Sequence, residues 1–425
     1  MWPDRRLAEL LKIEHPIILA PMAGAMDVAL AAEVSVAGGL GSLPCAMLTP
    51  DMMRDQITKF RARTDRPVNV NFFCHKVPVL DNAREVHWRD RLKPYYQELG
   101  VDPSARVPSS NRAPFDAAFC EAIEDLKPAV VSFHFGLPAD NLLARVKAAG
   151  CVIISSATTP AEATWLERGG VDAVIAQGYE AGGHRGTFLT DNIATQIGTL
   201  ALVPQIVDAV KVPVIAAGGI GDARGIAAAF ALGACGVQIG TAYLHCPEAK
   251  ISAPHRAALK SVDGEGTALT NLMTGRPARG VINRIMRELG PVSAHAPEFP
   301  LAAGALVPLR LKAEATGSGD FSPMWCGQAA PLAVICRRAN SRRAWPRRRR
   351  TNCGGLVQPD RLSRCPAAVV GGPMCLVHSR RALRCECTEP RRFFGSSAGG
   401  ASIFVAIEVP GGRVPHSFAT ALSKR

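Results

Sequence analysis

The chain has 425 residues, of which 48% are hydrophobic, so it is long enough and apolar enough to bury a large core. Its formal net charge of +13 is carried by residues 334–425, where 18 Lys and Arg face 4 Asp and Glu, and residues 1–333 are close to neutral. No run reaches the roughly 18 apolar residues of a membrane span, and residues 1–16 hold no apolar stretch of signal-peptide length, which predicts a cytoplasmic protein without a spanning helix.

Apolar runs of strand length alternate with helix-length segments from residue 15 to residue 241, and regular alternation with eight strands favours an α/β fold of the (β/α)8 TIM-barrel type. No GxGxxG follows the first strand, which weakens the case for an open dinucleotide-binding sheet. The predicted strands are HPIILAPMAG (15–24), LGSLPC (40–45), PVNVNFF (67–73), AVVSFHFG (129–136), CVIISSA (151–157), AVIAQG (173–178), VPVIAAGG (212–219) and CGVQIGT (235–241).

Two segments do not fit the repeating unit. Residues 79–128 are predicted to be an insertion between strands three and four, helical over 87–100 and loop-like over 101–114. Tyr95 and Tyr96 of this insertion either line a substrate channel or pack in the core or at the surface. Residues 242–333, rich in helix-forming runs, are expected to supply the last barrel helix and a lid. The predicted organisation is a barrel with lid segments over residues 1–333, followed by a basic tail of little structure over 334–425.

Three successive strands run directly into glycine, which lets backbone N–H groups approach a ligand. In a barrel, the ends of neighbouring strands form the usual phosphate corner, here with a helix that begins near Asp222 aiming its N-terminus inward. The alternative is a set of purely structural turns. The pattern predicts a phosphorylated cofactor held by Gly182, Gly183, Gly218, Gly219, Gly240 and Thr241.

Polar side chains among apolar strand residues are the other candidates. Gln177 and Gln238 carry amides that must find partners, either a cofactor or an adjacent loop. His134 ends the apolar strand SFHFG, where barrel enzymes keep their chemistry, although a lone strand histidine is often a satisfied core residue. We predict His134 to be the catalytic residue, acting without a metal.

These motifs together resemble the nitronate monooxygenases, once called 2-nitropropane dioxygenases, over about residues 12–333. The resemblance is carried by HPIILAPMAG, NVNFF, VVSFHFG, AQGYEAGGHRG, AAGGIGD, QIGT and GDFSPMWCGQAA. It implies a TIM barrel with FMN that oxidises alkyl nitronates, such as propionate 3-nitronate, or nitroalkanes with O2 to a carbonyl compound and nitrite, without reduced nicotinamide. It also implies that Met22, Asn71, Gln177 and Gln238 lie beside the flavin, and that His134 removes the α-proton of a nitroalkane or holds the nitro oxygens of a nitronate.

Other interpretations remain open. An FMN-dependent NAD(P)H reductase of a quinone or enoyl-thioester would use the same glycines and glutamines. The basic tail allows nucleic-acid binding. Alternatively, a shifted reading frame accounts for the composition of the tail. The tail cysteines lack the paired spacing of a zinc site, and the other cysteines read as core thiols in a reducing compartment. Roles for His184, Arg185 and Lys312 are not fixed by the sequence.

Overall fold

The protein is described by a computed structural model over residues 2–102, 112–262 and 266–333. Eight parallel strands form its central sheet, in the order β1-β9-β8-β6-β5-β4-β3-β2. All eight predicted strands are present, as β1 Ile17–Leu19, β2 Gly41–Pro44, β3 Val68–Phe73, β4 Val130–His134, β5 Val152–Ala157, β6 Ala173–Gln177, β8 Val214–Ala217 and β9 Gly236–Ile239.

The sheet closes on itself between its first and last strands. Ile18 pairs with Leu40 in a parallel bridge, and Leu40 both accepts the Leu19 N–H and donates to the Ile17 carbonyl at 2.9 Å. The strands are short, mostly apolar and buried on both faces over most of their length, as is typical of parallel strands covered by helices. The predicted TIM barrel is therefore confirmed.

Helices follow the strands and cover the outside of the barrel, and side-chain caps fix where several of them begin. Asp27, Thr49, Asp116, Thr159 and Asp222 each accept a backbone N–H of the helix that they precede. The helices around the barrel are α1 Arg6–Leu11, α2 Val28–Val36, α3 Pro50–Arg61, α5 Ala117–Leu126, α6 Asp140–Ala148, α7 Pro160–Arg168, α8 Thr199–Ala209 and α9 Ala223–Ala231, with short 3-10 helices at Ile193–Thr195, Thr241–His245 and Ala330–Leu332.

A second apolar core lies where α4, Asn82–Glu98, packs against α12, Ala302–Ala315. Trp88 donates its indole N–H to the Ala302 carbonyl at 3.3 Å, and Tyr96 donates its hydroxyl to the Ala305 carbonyl at 2.5 Å. Tyr95 and Tyr96 are buried in this core and are absent from the lining of the barrel cavity described below. Of the two roles left open for these tyrosines, packing is the one observed.

Residues 242–333 contain more than the helices that the sequence predicted. Besides α10 Ala253–Ser261, α11 Arg284–Glu288 and α12, they supply β10 Thr267–Thr270 and β11 Ala278–Val281, which pair antiparallel with each other. β11 also pairs with β7, Gly183–His184, in the loop after β6. These strands are too short to show a period in sequence, and their pairing joins segments about 95 residues apart.

Among the described residues, no helix combines the length and apolar character that crossing a membrane requires. The division into a barrel domain with lid segments stays a prediction, and the tail, residues 334–425, lies outside the described residues.

Candidate active site

A cavity of about 440 Å³ opens at the carboxyl ends of the barrel strands. Its volume lies in the range of small-molecule and cofactor sites. Every residue predicted from the sequence to bind the cofactor or to act in catalysis lines this one cavity, namely Met22, Asn71, His134, Gln177, Gly182, Gly183, Gly218, Gly219, Gln238, Gly240 and Thr241. The tertiary structure thus brings residues from six strand ends to one place, as a barrel does.

Partly buried glycines follow β6, β8 and β9 and line the cavity. Together with Thr241 they are called the glycine cradle: Gly182, Gly183, Gly218, Gly219 and Gly240. Gly183, Gly218 and Gly219 have φ of +74°, +101° and +70°, which a residue with a side chain adopts at a cost. A Cβ on Gly183 would have no heavy atom within 4 Å, whereas a Cβ on Gly218 would lie 2.9 Å from the Ala181 nitrogen. Gly183 therefore faces open space, and Gly218 also lets two loops approach each other closely.

Two further cradle residues contact the segment that returns to the barrel near residue 327. A Cβ on Gly182 would lie 2.6 Å from the Gly327 nitrogen, so this glycine is required for packing. The Gly327 N–H donates to the Thr241 hydroxyl at 2.9 Å, which leaves the hydroxyl proton of Thr241 for another acceptor. The helix that the sequence predicted to begin near Asp222 is α9, and the Asp222 side chain accepts backbone N–H groups of its first turn.

The buried amides differ in how they are used. Gln177 donates to the His184 carbonyl at 2.9 Å and accepts the Gly186 N–H at 2.8 Å, so it fastens the loop after β6. Asn71 donates to the Ser132 hydroxyl at 2.9 Å. Gln238 is different, because its buried Oε1 has no hydrogen-bond partner within the part of the chain that the structure describes. An unpaired buried oxygen at a cavity wall is unfavourable unless a ligand donates to it.

His134 lies at the end of β4 with its accessible part turned toward the cavity. Its Nδ1 is 2.5 Å from the Ser156 hydroxyl. Burial and the nearby Arg276 guanidinium lower the pKa of His134 to about 3, while the His184 backbone carbonyl opposes the shift. The ring is therefore neutral at pH 7, and of the two forms considered from the sequence the hydrogen-bonding one is favoured over the cation.

Aromatic and cationic side chains pack around His134, and of those described here only His184 lines the cavity. Arg276 stacks over the Phe135 ring at 4.2 Å and donates to the Thr187 hydroxyl at 3.1 Å. His184 contacts the Thr274 hydroxyl through Nε2 at 2.9 Å, and burial holds the pKa of His184 well below its usual range. Burial likewise lowers the pKa of His75 to about 4. The Arg276 guanidinium interacts electrostatically with the carboxylates of Asp191 and Glu162.

A model of the family described as nitronate monooxygenase matches residues 4–336. The chain belongs to the nitronate monooxygenase family. It is 44% identical over 330 residues to a nitronate monooxygenase of Pseudomonas aeruginosa, covering 77% of this chain and 94% of that protein. It is also 44% identical over 333 residues to one of Paraburkholderia phytofirmans, covering 77% and 90%.

Two solved structures are similar to this chain. A nitroalkane oxidase from Streptomyces ansochromogenes shares 38% identity with a TM-score of 0.71, covering 77% of this chain and 93% of that one. FabK from Thermotoga maritima shares 29% identity with a TM-score of 0.59, covering 78% and 91%. This nitronate monooxygenase family member is thus an enzyme, an oxidoreductase built on a TIM barrel.

The sequence left three charged or polar residues of this family member without a role. His184 lines the cavity, but Arg185 does not, because it is fully buried and donates to the carbonyls of Gln177 and Gly178 at 2.7 and 2.6 Å. Lys312 is exposed and is absent from the cavity lining. Arg185 therefore holds the end of β6, and nothing in the structure connects Lys312 with the site.

Two arginines that sequence reasoning missed do line the cavity, Arg112 and Arg310. Arg310 precedes Lys312 by two residues on α12, and this spacing puts the two side chains on different faces of the helix. Within the described residues, the buried Nε of Arg310 has no hydrogen-bond partner. The sequence shows two basic residues, Arg310 and Lys312, in one segment, and only the orientation of α12 decides which of them reaches the cavity.

Proposed function

We propose that this protein binds FMN and oxidises alkyl nitronates with O2 to a carbonyl compound and nitrite, with propionate 3-nitronate among its substrates. The observation that carries the proposal is the meeting of a glycine cradle and a neutral His134 in one cavity. Membership of the nitronate monooxygenase family supports the same reaction.

The residues around the cavity fit FMN. Gly218, Gly219 and Gly240 would present backbone N–H groups to the terminal phosphate, and the Thr241 hydroxyl would donate to it. The unpartnered Oε1 of Gln238 would accept a hydrogen bond from the flavin ring. Met22, in the loop after β1, would supply an apolar wall. When bound, FMN supplies the electron-accepting chemistry that no side chain of this site offers.

The electrostatics suit an anionic substrate. Arg112, Arg310 and Lys250 line the cavity together with two carboxylates, Glu180 and Glu314, so the charged side chains of the lining are net positive and favour entry of a nitronate. Neutral His134 carries one N–H that can donate to a nitro oxygen. The surrounding apolar and aromatic side chains exclude water, which strengthens that hydrogen bond.

The burial of His134 also leads us to expect different rates for nitronates and for neutral nitroalkanes. A neutral nitroalkane must first lose its α-proton, and His134, with its pKa lowered to about 3, is a weak base for that step. A pre-formed nitronate needs no such base. We therefore propose nitronates as the preferred substrates and nitroalkanes as slower ones.

Anaerobic mixing tests the proposal directly. The purified protein is combined with propionate 3-nitronate, NADH or NADPH in separate experiments, and the flavin absorbance is followed. Bleaching by the nitronate alone, followed by reoxidation and release of nitrite when O2 is admitted, is the expected result. Bleaching by NADH or NADPH but not by the nitronate would identify a reductase, and a colourless protein that takes up no added FMN would refute the cofactor.

A further inference from the structure

Glu180 places a carboxylate on the wall of the cavity beside the glycine cradle. It lies in the loop after β6, and a Cβ on Gly219 would be 3.6, 3.7 and 3.8 Å from its Cβ, Cγ and Cδ. An acidic side chain at this position repels a phosphate unless its own charge is balanced. The contacts of Glu180 supply that balance and give the side chain a second use.

The first residue of α8 surrounds the Glu180 carboxylate with donors. Thr199 donates its backbone N–H to Oε1 at 3.0 Å and to Oε2 at 2.8 Å, and its hydroxyl lies 2.8 Å from Oε2. Gly198 precedes it at the start of the helix and has no side chain to cap it, so Glu180 supplies the cap from another loop. The positive end of the helix dipole stabilises the carboxylate.

A buried cation lies near the same carboxylate. Burial and the Arg279 guanidinium lower the pKa of the fully buried Arg185 to about 10, and the carboxylates of Glu180 and Glu162 oppose the shift. Glu180 and the Arg185 guanidinium therefore attract each other. Because the helix end and this guanidinium both offset its charge, Glu180 is compatible with an anion in the cavity.

Thr199 joins the carboxylate to the cradle. Its hydroxyl oxygen lies 2.8 Å from Glu180 Oε2 and 3.0 Å from the Gly218 carbonyl oxygen, so its proton can be donated to either acceptor. A Cβ on Gly178 would overlap this hydroxyl, which shows that the start of α8 packs directly on the end of β6. The Gly218 carbonyl is thus held by a residue that Glu180 itself holds.

The Gly218 carbonyl and the Gly219 N–H belong to one planar peptide group. In a trans peptide they point in opposite directions, so a carbonyl held by α8 turns the Gly219 N–H away from that helix. Both flanking residues are glycines, with φ of +101° and +70°, and no Cβ restricts rotation of the peptide between them. A hydrogen bond to the carbonyl is therefore needed to fix the direction of the N–H.

We infer that Glu180 is a positioning residue of the phosphate site, which acts through Thr199 to hold the Gly218–Gly219 peptide with its N–H toward the phosphate. This inference rests on the proposed function, in which the glycine cradle holds the terminal phosphate of FMN. The Glu180 side chain itself does not contact the phosphate in this arrangement.

FMN and riboflavin together provide the test, because they share the ring and the ribityl chain and only FMN carries a phosphate. The dissociation constant of each is measured by flavin fluorescence on the full chain. Glu180→Ala is expected to weaken FMN binding by about 10- to 100-fold and to leave riboflavin binding nearly unchanged. Glu180→Gln, which keeps an acceptor oxygen for the Thr199 N–H, should recover part of the loss.

The loop itself should stay in place in Glu180→Ala. The Glu180 carbonyl accepts the Gln328 N–H at 3.0 Å, and the Ala181 N–H donates to the Gly178 carbonyl at 3.1 Å, and neither bond uses the side chain. Asp116→Ala is the matched control, since it removes the carboxylate cap of α5, 3.0 Å from the Phe119 nitrogen and outside the cavity lining. It should preserve the wild-type preference for FMN over riboflavin.

A double variant tests the route through Thr199. Thr199→Val should weaken FMN binding selectively, and Thr199→Ser, which keeps the hydroxyl, should restore it. If Glu180 acts through this residue, Glu180→Ala combined with Thr199→Val should bind FMN about as weakly as the weaker single variant, whereas additive losses would overturn the inference.

Three further outcomes are decisive. Equal weakening of FMN and riboflavin in Glu180→Ala would make the side chain merely structural, and tighter FMN binding would show that it only repels the phosphate; either result overturns the inference. A preference for FMN that persists unchanged in Glu180→Ala overturns it while the proposed function stands. A wild type that binds riboflavin as tightly as FMN would refute the proposed phosphate site, and the inference with it.

Discussion

Gln177 binds Gly186 through its side chain, accepting the Gly186 N–H at 2.8 Å, and this bond holds the loop after β6 against the His134 ring. The arrangement requires glycine, because a Cβ at position 186 would meet His134 Cε1 at 2.8 Å, closer than real Cβ contacts allow. An amide that ends a strand thus fixes the loop that covers the proposed catalytic residue.

Replacing Gly186 with Ala should therefore displace the His134 ring while leaving the glycine cradle intact. We expect a flavin content close to that of the wild type, a loss of most turnover of a neutral nitroalkane and a smaller loss of nitronate turnover. Absorbance at the flavin band and initial-rate kinetics measure the two quantities. Wild-type turnover in Gly186→Ala would mean that the ring and the loop adjust without consequence.

Gly219→Val tests the cradle itself. Gly219 has φ of +70° and faces the cavity, so valine should block the approach of the phosphate and yield a protein without flavin. Gly317→Val is the matched control, since Gly317 has φ of +82°, has no heavy atom within 4 Å of its Cβ position and lies outside the cavity lining. It carries a similar backbone penalty and should keep its flavin. Full flavin content in folded Gly219→Val would contradict the proposed phosphate site.

His134→Asn tests the catalytic assignment. An asparagine can still form hydrogen bonds but takes up no proton, so turnover of the neutral nitroalkane should fall by about 10²- to 10⁴-fold. Turnover of the pre-formed nitronate should suffer less. Parallel assays with both forms of one compound measure this difference, and unchanged rates on both would make His134 a structural residue.

Buried histidines predict the acid stability of the fold. Burial lowers the pKa of His134 to about 3 and those of His75 and His255 to about 4, from 6.5 in the unfolded chain. Below pH 6.5 the unfolded chain binds protons that the folded one does not, so stability present above pH 6.5 is lost as the pH falls toward 4. Each histidine contributes a slope of up to about 1.4 kcal/mol per pH unit.

Urea unfolding between pH 7 and pH 4.5 measures that slope, which should become shallower in His75→Gln. Substitution of His87, an exposed histidine on α4, is the matched control for losing one imidazole. The same slope in His75→Gln and wild type would show that His75 titrates alike in both states.

Removal of residues 334–425 should leave the chemistry intact. This segment carries 18 Lys and Arg against 4 Asp and Glu without a periodic apolar face, a composition that does not support a packed core. A chain that ends at Ala333 keeps every strand and every residue of the proposed site. We expect it to retain flavin and turnover and to bind polyanions more weakly in a salt-dependent mobility assay. Loss of FMN or of folding would assign the segment a structural role.

The sequence by itself determined the barrel and a set of residues that line its cavity, because both depend on local patterns. Each strand is a short apolar run, and the cradle glycines and His134 follow or end such runs, so chain order and the closure of a barrel bring them together. The pairing of β7 with β11 escaped the sequence, since strands of two to four residues carry no readable period.

Tertiary structure decided which of several similar neighbours reaches the cavity. Ser155 and Ser156 are indistinguishable in sequence, and only the register of β5 turns the second toward His134. Arg310 and Lys312 are separated in the same way by the orientation of α12, which packs against α4. Which side chain reaches the cavity depends on the packing of segments far apart in the chain. Which residue types lie near each strand end is determined by the local sequence.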